Sequence, residues 1–195
     1  KIHVGNCRIR YDTDHGWIGR NAMKLSRVKA PWRDWVTSGI CTYVDDVSIN
    51  PDLISEYIAE AGQRYIIRML AMDNFRWAAM SDSLRNIGFD ANDKKRVKLI
   101  RPSDIMQVDP VMQECFSRGY FAWGDNPCLR WAVNNAKRVR SGKRDGTDTG
   151  NYYYAKIEGK SRKTDPFMAL VASMVCESAL GSGTTALPKI GAIKL

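Results

Sequence analysis

Helical and extended segments alternate through the middle of this chain, and that alternation most constrains its fold. Residues 51–61 (PDLISEYIAEA) carry apolar side chains at helical spacing, and the Asn50–Pro51 pair is typical of a helix start. The next run, RYIIRMLAMD, has the length of a strand. Residues 75–86 predict a second helix, and RVKLIRP predicts a second strand. Strands that alternate with helices favour an α/β fold with a partly parallel sheet, which we expect to form one domain.

The second half of the chain predicts further helices and a hairpin. The segment SDIMQVDPVMQECFSRG is predicted to be helical in its second half. DNPCLRWAVNNAK is typical of an N-capped helix with Pro127 in its first turn. AKRVR and NYYYAKI are predicted to form the two arms of a β-hairpin with a polar, basic tip. Residues 162–180 predict a closing helix, and residues 181–195 predict a tail.

The charge balance narrows the class of partner. The 195 residues include 30 Lys and Arg against 21 Asp and Glu, which gives a formal net charge of +9. A surplus of this size favours an anionic partner, with nucleic acid ahead of a membrane surface. No apolar run is long enough to span a bilayer and no signal peptide is visible, so we expect no membrane partner.

The cysteine and histidine content indicates which metals to expect. The 5 cysteines are widely spaced and form no CxxC motif, which favours free thiols in a reducing compartment. With only 2 histidines, a zinc site built on His and Cys is not expected. A bound metal ion should therefore have carboxylate ligands, which suit Mg²⁺ or Mn²⁺.

Two acidic residues stand where a cation site is expected. Asp73 ends the strand predicted from Tyr65 to Met72, and ligands of open α/β sheets bind beyond the carboxyl ends of strands. Asp165 begins the closing helix in the sequence TDP. Each has a structural alternative: Asp73 as the N-cap of the next helix, and Asp165 as an N-cap with Pro166 at the first helical position. A capping carboxylate keeps lone pairs for a metal ion, so both interpretations stay open.

Basic residues concentrate on and after the predicted hairpin, with three consecutive tyrosines, residues 152–154, between two groups. The two groups are Lys137, Arg138, Arg140, Lys143 and Arg144, and then Lys156, Lys160, Arg162 and Lys163. A basic hairpin beside a metal-binding carboxylate suits a phosphate backbone. A solvated surface hairpin is the structural alternative.

The order of these segments resembles the nuclease domain of the large terminase subunit of tailed bacteriophages. The resemblance rests on PWRDWVTSG, DDVSINPDLISEYIAEAGQRYIIRMLAMD, GDNPCLRWAVNN, GNYYYAK and RKTDPFMALV, in that order along the chain. It implies a ribonuclease H-like fold, a mixed β-sheet flanked by helices, with the nuclease domain at residues 1–180 and a C-terminal tail at 181–195. It also implies a two-metal endonuclease that cuts concatemeric viral double-stranded DNA, in the cytoplasm of a bacterial host.

The resemblance also assigns roles to individual residues. In this family one acid lies on the first strand, one at the end of a central parallel strand, and one at the start of the C-terminal helix. Asp73 matches the second position and Asp165 the third, which implies that both bind Mg²⁺ or Mn²⁺ and are catalytic. Lys156 matches a catalytic-site lysine common shortly before the last acid, and Arg162 stands where some relatives carry a His. The other basic residues would bind DNA, and the portal and the small terminase subunit are the implied protein partners.

The first acidic position is where the sequence departs from the family pattern. We expect the strand that carries this acid, and the ATPase motor domain, to lie upstream of IHVGNCRIR in a longer protein, which would leave the metal site here incomplete. Two other hypotheses stay open. One is a non-catalytic ribonuclease H-like module that binds DNA or docks on a partner, with both acids acting only as caps. The other is a junction resolvase-like nuclease, which would prefer branched DNA.

Overall fold

A computed structural model of the protein describes residues 2–3, 16–19, 29–122, 124–144, 147–148 and 150–177. In chain order the elements are β1 (Ile2–His3), β2 (Gly16–Gly19), α1 (Trp32–Thr37), β3 (Cys41–Val44), α2 (Pro51–Arg64), β4 (Leu70–Asp73), a 3₁₀ turn (Asn74–Arg76), α3 (Trp77–Asn86), β5 (Val97–Ile100), α4 (Pro102–Ser117), β6 (Phe121–Ala122), α5 (Pro127–Asn134), β7 (Ala136–Arg140), β8 (Lys143–Arg144), β9 (Thr147–Asp148), β10 (Tyr152–Lys156) and α6 (Asp165–Val175). Most of the N-terminal segment IHVGNCRIR and the tail at 181–195 lie outside the described residues. Within the described part, none of the helices is both long enough and apolar enough to cross a membrane.

The strands of the described part associate in pairs. Three pairs are parallel, β1 with β6, β2 with β3, and β4 with β5. Two pairs are antiparallel, β7 with β10 and β8 with β9. The prediction of a mixed α/β fold with parallel pairing is confirmed, although over the described residues the strands form two-stranded sheets rather than one continuous sheet.

The first predicted helix is longer than its sequence pattern indicated. The Asn50 side chain accepts a hydrogen bond from the Asp52 amide at 3.0 Å, which caps the start of α2. The predicted end at Ala61 is wrong, because the helix continues to Arg64. Arg64 forms an ion pair with Glu60 one turn earlier, at 3.7 Å, and this i,i+4 pair supports the last turn.

The strand that follows is shorter than predicted. It was expected from Tyr65, but only Leu70–Asp73 pairs with the neighbouring strand β5. Residues 66–69 belong to none of the described strands, and Ile66 is exposed. Beneath this pair, α3 buries Met80 and Leu84 in a cluster that also contains Val97 of β5.

The helix α4 is also longer than predicted, because it occupies Pro102–Ser117 and not only the second half of that segment. Pro102 takes the first helical position, where its missing amide hydrogen has no cost. The Asp104 carboxylate accepts a hydrogen bond from the Arg101 amide at 2.7 Å, which closes the first turn.

The main hydrophobic core lies where α4, α5 and α6 meet. Met112, Leu129, Leu170 and Val171 are fully buried in it. Helix α6 also packs against β4, and α4 packs against β10. This core therefore holds the strand that ends at Asp73, the helix that begins at Asp165, and one arm of the basic hairpin in a single packed unit.

Two predictions for the connecting elements are confirmed. The Asn126 side chain accepts a hydrogen bond from the Leu129 amide at 2.9 Å and caps α5, with Pro127 in the first turn. AKRVR and the tyrosine segment form the two arms of an antiparallel hairpin, β7 and β10, in which Arg138 lies opposite Tyr154.

Candidate functional site

Asp73 lies at the carboxyl end of β4, opposite Ile100 of the parallel strand β5. Its side chain is exposed, and its Oδ1 atom accepts a hydrogen bond from the Phe75 amide at 2.9 Å. This bond caps the 3₁₀ turn that leads into α3, so the capping interpretation of Asp73 is confirmed. The second carboxylate oxygen remains available to a cation, and the metal-binding role stays a prediction.

Asp165 lies at the start of α6 but does not have its predicted role as the N-cap. The N-cap residue is Thr164, whose carbonyl oxygen accepts the first helical hydrogen bond from the Met168 amide at 2.8 Å. Asp165 is therefore the first helical residue and Pro166 the second, and the predicted capping by the Asp165 side chain is wrong. The exposed carboxylate makes no hydrogen bond or ion pair with other described residues. Its negative charge lies at the positive end of the helix dipole, where it is stabilised.

The two ends of α6 have different surroundings. The Cys128 thiol, near the start of α5, shares a hydrogen bond with Cys41; this bond, burial, and the negative charge of Asp165 all raise the pKa of Cys128. At the other end, burial raises the pKa of Cys176, and the charges of Lys98 and Asp104 also act on that thiol. Asp165 therefore lies within electrostatic range of α5, and the opposite end of α6 lies near the turn between β5 and α4.

Among the described residues, Asp73 and Asp165 are not part of a larger cluster of metal-ligating side chains. Within that part of the chain, no group of three His, Cys, Asp or Glu side chains is arranged to hold a metal ion. Asp73 and Asp165 are placed on two elements that pack together, β4 and α6. The sharing of one metal site by these two carboxylates remains a prediction.

The predicted catalytic Lys156 and the predicted DNA-binding residues occupy several environments. Lys156 ends β10, opposite Ala136, and is half-buried. After this strand, Lys160 and Lys163 are exposed and Arg162 is half-buried. Lys143 and Arg144 form β8, but their side chains lie outside the described part of the structure. The structure therefore leaves their predicted contacts with DNA untested.

Arg138 has a partner that the sequence analysis missed. Its guanidinium donates hydrogen bonds from Nε to both oxygens of Asp109, each at 3.0 Å, and from Nη2 to Oδ2 at 2.6 Å. The Tyr154 hydroxyl donates to Oδ1 of the same carboxylate at 2.9 Å. The Arg138 guanidinium also lies 3.5 Å from the centroid of the Tyr152 ring, in a cation–π contact.

Asp109 is buried in the middle of α4, and its side chain is only 2% exposed. One signal in the sequence was available, because Asp109 lies four residues after Ile105 and three before Met112, a helical spacing that places it on the apolar face of α4. A charged residue on such a face requires a partner when it is buried. The sequence indicates that need, whereas the partner's identity required the tertiary structure.

The interaction has electrostatic consequences for both partners of Asp109. The hydrogen bond to Asp109 and its negative charge raise the pKa of Arg138. Burial raises the pKa of Tyr154, and the hydrogen bond to Asp109 raises it further. Both side chains therefore keep their protons over the physiological pH range.

Comparison with known proteins supports a terminase-like α/β fold. The sequence matches no protein-family model and no curated protein. Among solved structures, the chain is similar to the crystal structure of the HK97 bacteriophage large terminase, with a TM-score of 0.66 and 18% sequence identity. The match covers 82% of this chain and 32% of the HK97 protein. At this level of identity, the likeness establishes the fold, and the chain spans only about a third of the length of that terminase.

Proposed function

We propose that residues 1–180 are the metal-dependent endonuclease domain of a phage DNA-packaging terminase, with a ribonuclease H-like mixed sheet, and that residues 181–195 are a tail. The observation that carries this proposal is the terminase-like fold, in which a strand ending at Asp73 packs against a helix beginning at Asp165. The substrate would be concatemeric double-stranded viral DNA in the cytoplasm of a bacterial host. The portal and the small terminase subunit would be protein partners of the whole terminase.

The donor atoms fit the proposed cofactor, Mg²⁺ or Mn²⁺. Both ions prefer oxygen ligands, and Mg²⁺ is commonly held by one or two carboxylates together with substrate phosphates. Asp73 keeps one oxygen outside its capping bond, and the Asp165 carboxylate has no hydrogen-bond or ion-pair partner among the described residues. When bound, a pair of such ions activates a water molecule and stabilises the leaving oxygen in phosphodiester hydrolysis.

The protein's own groups have complementary roles in the proposal. Asp73 and Asp165 hold the cations, and Lys156 contributes positive charge near the phosphate to be cut. Basic residues of the hairpin and of the segment from Lys160 to Lys163 bind flanking phosphates. Because phosphate contacts carry no direct sequence information, we expect binding to duplex DNA with little dependence on base sequence.

The metal site is tested by plasmid nicking in Mg²⁺ or Mn²⁺, with Asp73→Asn and Asp165→Asn as the test variants. Asn is as good an N-cap as Asp, so Asp73→Asn removes the charge while it keeps the bond to Phe75. Asp82→Asn is the matched control, since it removes the same charge from an exposed position on α3. We expect a chain extended upstream of Lys1, and its Asp82→Asn control, to nick plasmid, and both test variants of that longer chain to lose the activity.

A direct measurement of metal binding separates the site from the activity. Calorimetric titration with Mn²⁺ should show weaker binding in both test variants than in Asp82→Asn. Unchanged nicking or unchanged Mn²⁺ affinity in the test variants would contradict the site assignment. Nicking that persists in a chelator would contradict metal dependence.

The capping bond of Asp73 favours a second candidate, a non-catalytic module that binds DNA or docks on a partner. In this hypothesis both acids were expected to be caps, but Asp165 makes no capping bond, so only half of that expectation agrees with the structure. Duplex binding without nicking in either metal would favour this module. A clear preference for four-way junctions over linear duplex would instead favour the junction resolvase-like nuclease.

A further inference from the structure

The pairing register divides the hairpin residues between two faces. Side chains alternate across a strand, so Arg138 and the opposite Tyr154 share one face, together with Tyr152. This face is turned towards α4, because Arg138 and Tyr154 both bond to the buried carboxylate of Asp109. We call Asp109, Arg138 and Tyr154 the hairpin latch.

The opposite face of the hairpin is turned away from α4. It carries Lys137 on β7 and Tyr153 on β10, both of which are exposed. In the register Tyr153 lies opposite Val139, and Lys137 lies opposite Ala155. Two neighbouring basic residues therefore have different environments: the Arg138 charge is paired with a buried carboxylate, and the Lys137 charge faces solvent.

We propose that the two faces have separate roles: the hairpin latch fixes the hairpin on α4, and the outward face, with Lys137 and Tyr153, contacts the backbone of duplex DNA. This proposal rests on the proposed DNA-binding function and revises one of its residues, because it makes Arg138 a positioning residue and not a phosphate ligand.

The chemistry of the latch explains why Arg138 is unsuited to phosphate. A guanidinium binds a carboxylate or a phosphate through the same fork of N–H donors. In Arg138 this fork is occupied by Asp109, and release of the guanidinium would leave the carboxylate buried without its counter-charge. Lys137 does not have to release a buried carboxylate, so its ammonium group can bind a phosphate without breaking an interaction of the kind that Arg138 makes.

The latch also gives the outward face a fixed orientation. A two-stranded ribbon alone is marginally stable in water, so its position relative to the rest of a domain depends on side-chain anchors. Tyr154 packs edge-on against the Phe167 ring of α6, at 4.9 Å between centroids, in addition to its bond to Asp109. Anchors on both α4 and α6 therefore hold β10 and, through the register, set the direction of Lys137 and Tyr153.

The test measures the affinity of the purified chain for a short fluorescent DNA duplex by anisotropy, in EDTA and over a series of salt concentrations. The logarithm of affinity falls linearly with the logarithm of salt concentration, and loss of one phosphate contact reduces that slope by about 1. We expect Lys137→Gln to reduce the slope by this amount. We expect Arg138→Gln to leave the slope unchanged, although it lowers the melting temperature.

Asp109→Asn distinguishes the two roles by the sign of its effect. If Arg138 were a phosphate ligand restrained by Asp109, its release would tighten DNA binding and steepen the salt dependence. The latch predicts weaker binding with no steeper slope, because the hairpin loses its orientation. Arg64→Gln is the control, since it removes a charge from an exposed ion pair on α2.

Each outcome has a distinct meaning. An equal loss of slope in Arg138→Gln and Lys137→Gln, or tighter binding by Asp109→Asn, overturns the latch and leaves the DNA-binding proposal intact. Failure of the folded wild type to bind duplex at any salt concentration overturns the proposed function itself and the outward contact with it. If circular dichroism shows that Asp109→Asn is unfolded, the comparison of Lys137→Gln with Arg138→Gln decides the question.

Discussion

Replacement of Asp109 by Asn is expected to destabilise the protein more than any exposed charge substitution. The carboxylate is 2% exposed, receives three hydrogen bonds from Arg138 and one from Tyr154, and carries the only charge that balances Arg138 within this network of described residues. An Asn side chain keeps one acceptor oxygen but directs two N–H donors towards the guanidinium donors. The substitution therefore removes the counter-charge and creates a mismatch of donors.

The magnitude follows from the burial of the two partners. Removal of one member of a fully buried ion pair costs about 3–5 kcal/mol. The Arg138 side chain is 37% exposed, so water can solvate part of the charge that is left behind. We therefore expect Asp109→Asn to lower the free energy of unfolding by roughly 2–4 kcal/mol, below the fully buried case. For a domain of this size that corresponds to a fall in Tm of roughly 5–15 °C.

The assay is thermal and urea unfolding followed by circular dichroism, with Asp82→Asn as the matched control. The ion pair between Asp82 and Arg85 is exposed, so its loss should shift Tm by less than about 2 °C. A shift for Asp109→Asn no larger than that of the control would refute the reasoning. It would mean that the stabilisation from the hydrogen bonds and ion pair of Asp109 is cancelled by the cost of removing its carboxylate from water.

Two further predictions concern local features of the same core. Asn126→Ala removes the side-chain acceptor of the Leu129 amide at a buried helix start, so it should lower the free energy of unfolding, measured by urea titration, by about 1–2 kcal/mol. Asn126→Asp keeps an acceptor oxygen at this position, so it should retain most of the wild-type stability. Burial raises the pKa of Tyr154, so the folded protein holds this phenolic proton more tightly than the unfolded chain, in which a tyrosine has a pKa of about 10. The resulting stabilisation is complete below that pH and is lost as pH rises through the raised pKa of the folded state. Tyr154→Phe should therefore weaken the fall in stability measured above pH ~10, and an unchanged alkaline profile would contradict the assignment.

Several elements were predictable because they depend on contacts between near neighbours. The apolar spacing of α2, the Asn126–Pro127 start of α5 and the complementary arms of the hairpin are encoded over a few residues. The positions at which elements begin and end were predicted less accurately. The start of β4 depends on which residues meet β5, and this condition is not visible within a short sequence window.

The candidate site shows the same division at the level of single atoms. The segments Asp-Asn-Phe (73–75) and Thr-Asp-Pro (164–166) both have the composition of a helix start. In the structure the Asp73 side chain makes a capping hydrogen bond, whereas the Asp165 side chain makes none. At the second site Thr164 is buried, and the neighbouring Lys163 carbonyl accepts a hydrogen bond from the Asn135 side chain at 3.4 Å. These contacts with α5 fix the chain before the helix and make Thr164 the cap, which leaves the Asp165 carboxylate outside the capping bond.

The sequence by itself determined the α/β alternation, the basic hairpin and the two acids at element ends, because periodicity, capping chemistry and charge density are local properties. Only the tertiary structure decided which basic side chains are paired inside the protein and which are exposed to solvent. Arg138 looks like its neighbour Lys137 in the sequence, yet it is paired with a carboxylate 29 positions away. The physical reason is that burial of Asp109 between α4 and the hairpin makes a counter-charge necessary, and alternation along β7 turns Arg138 inward and Lys137 outward.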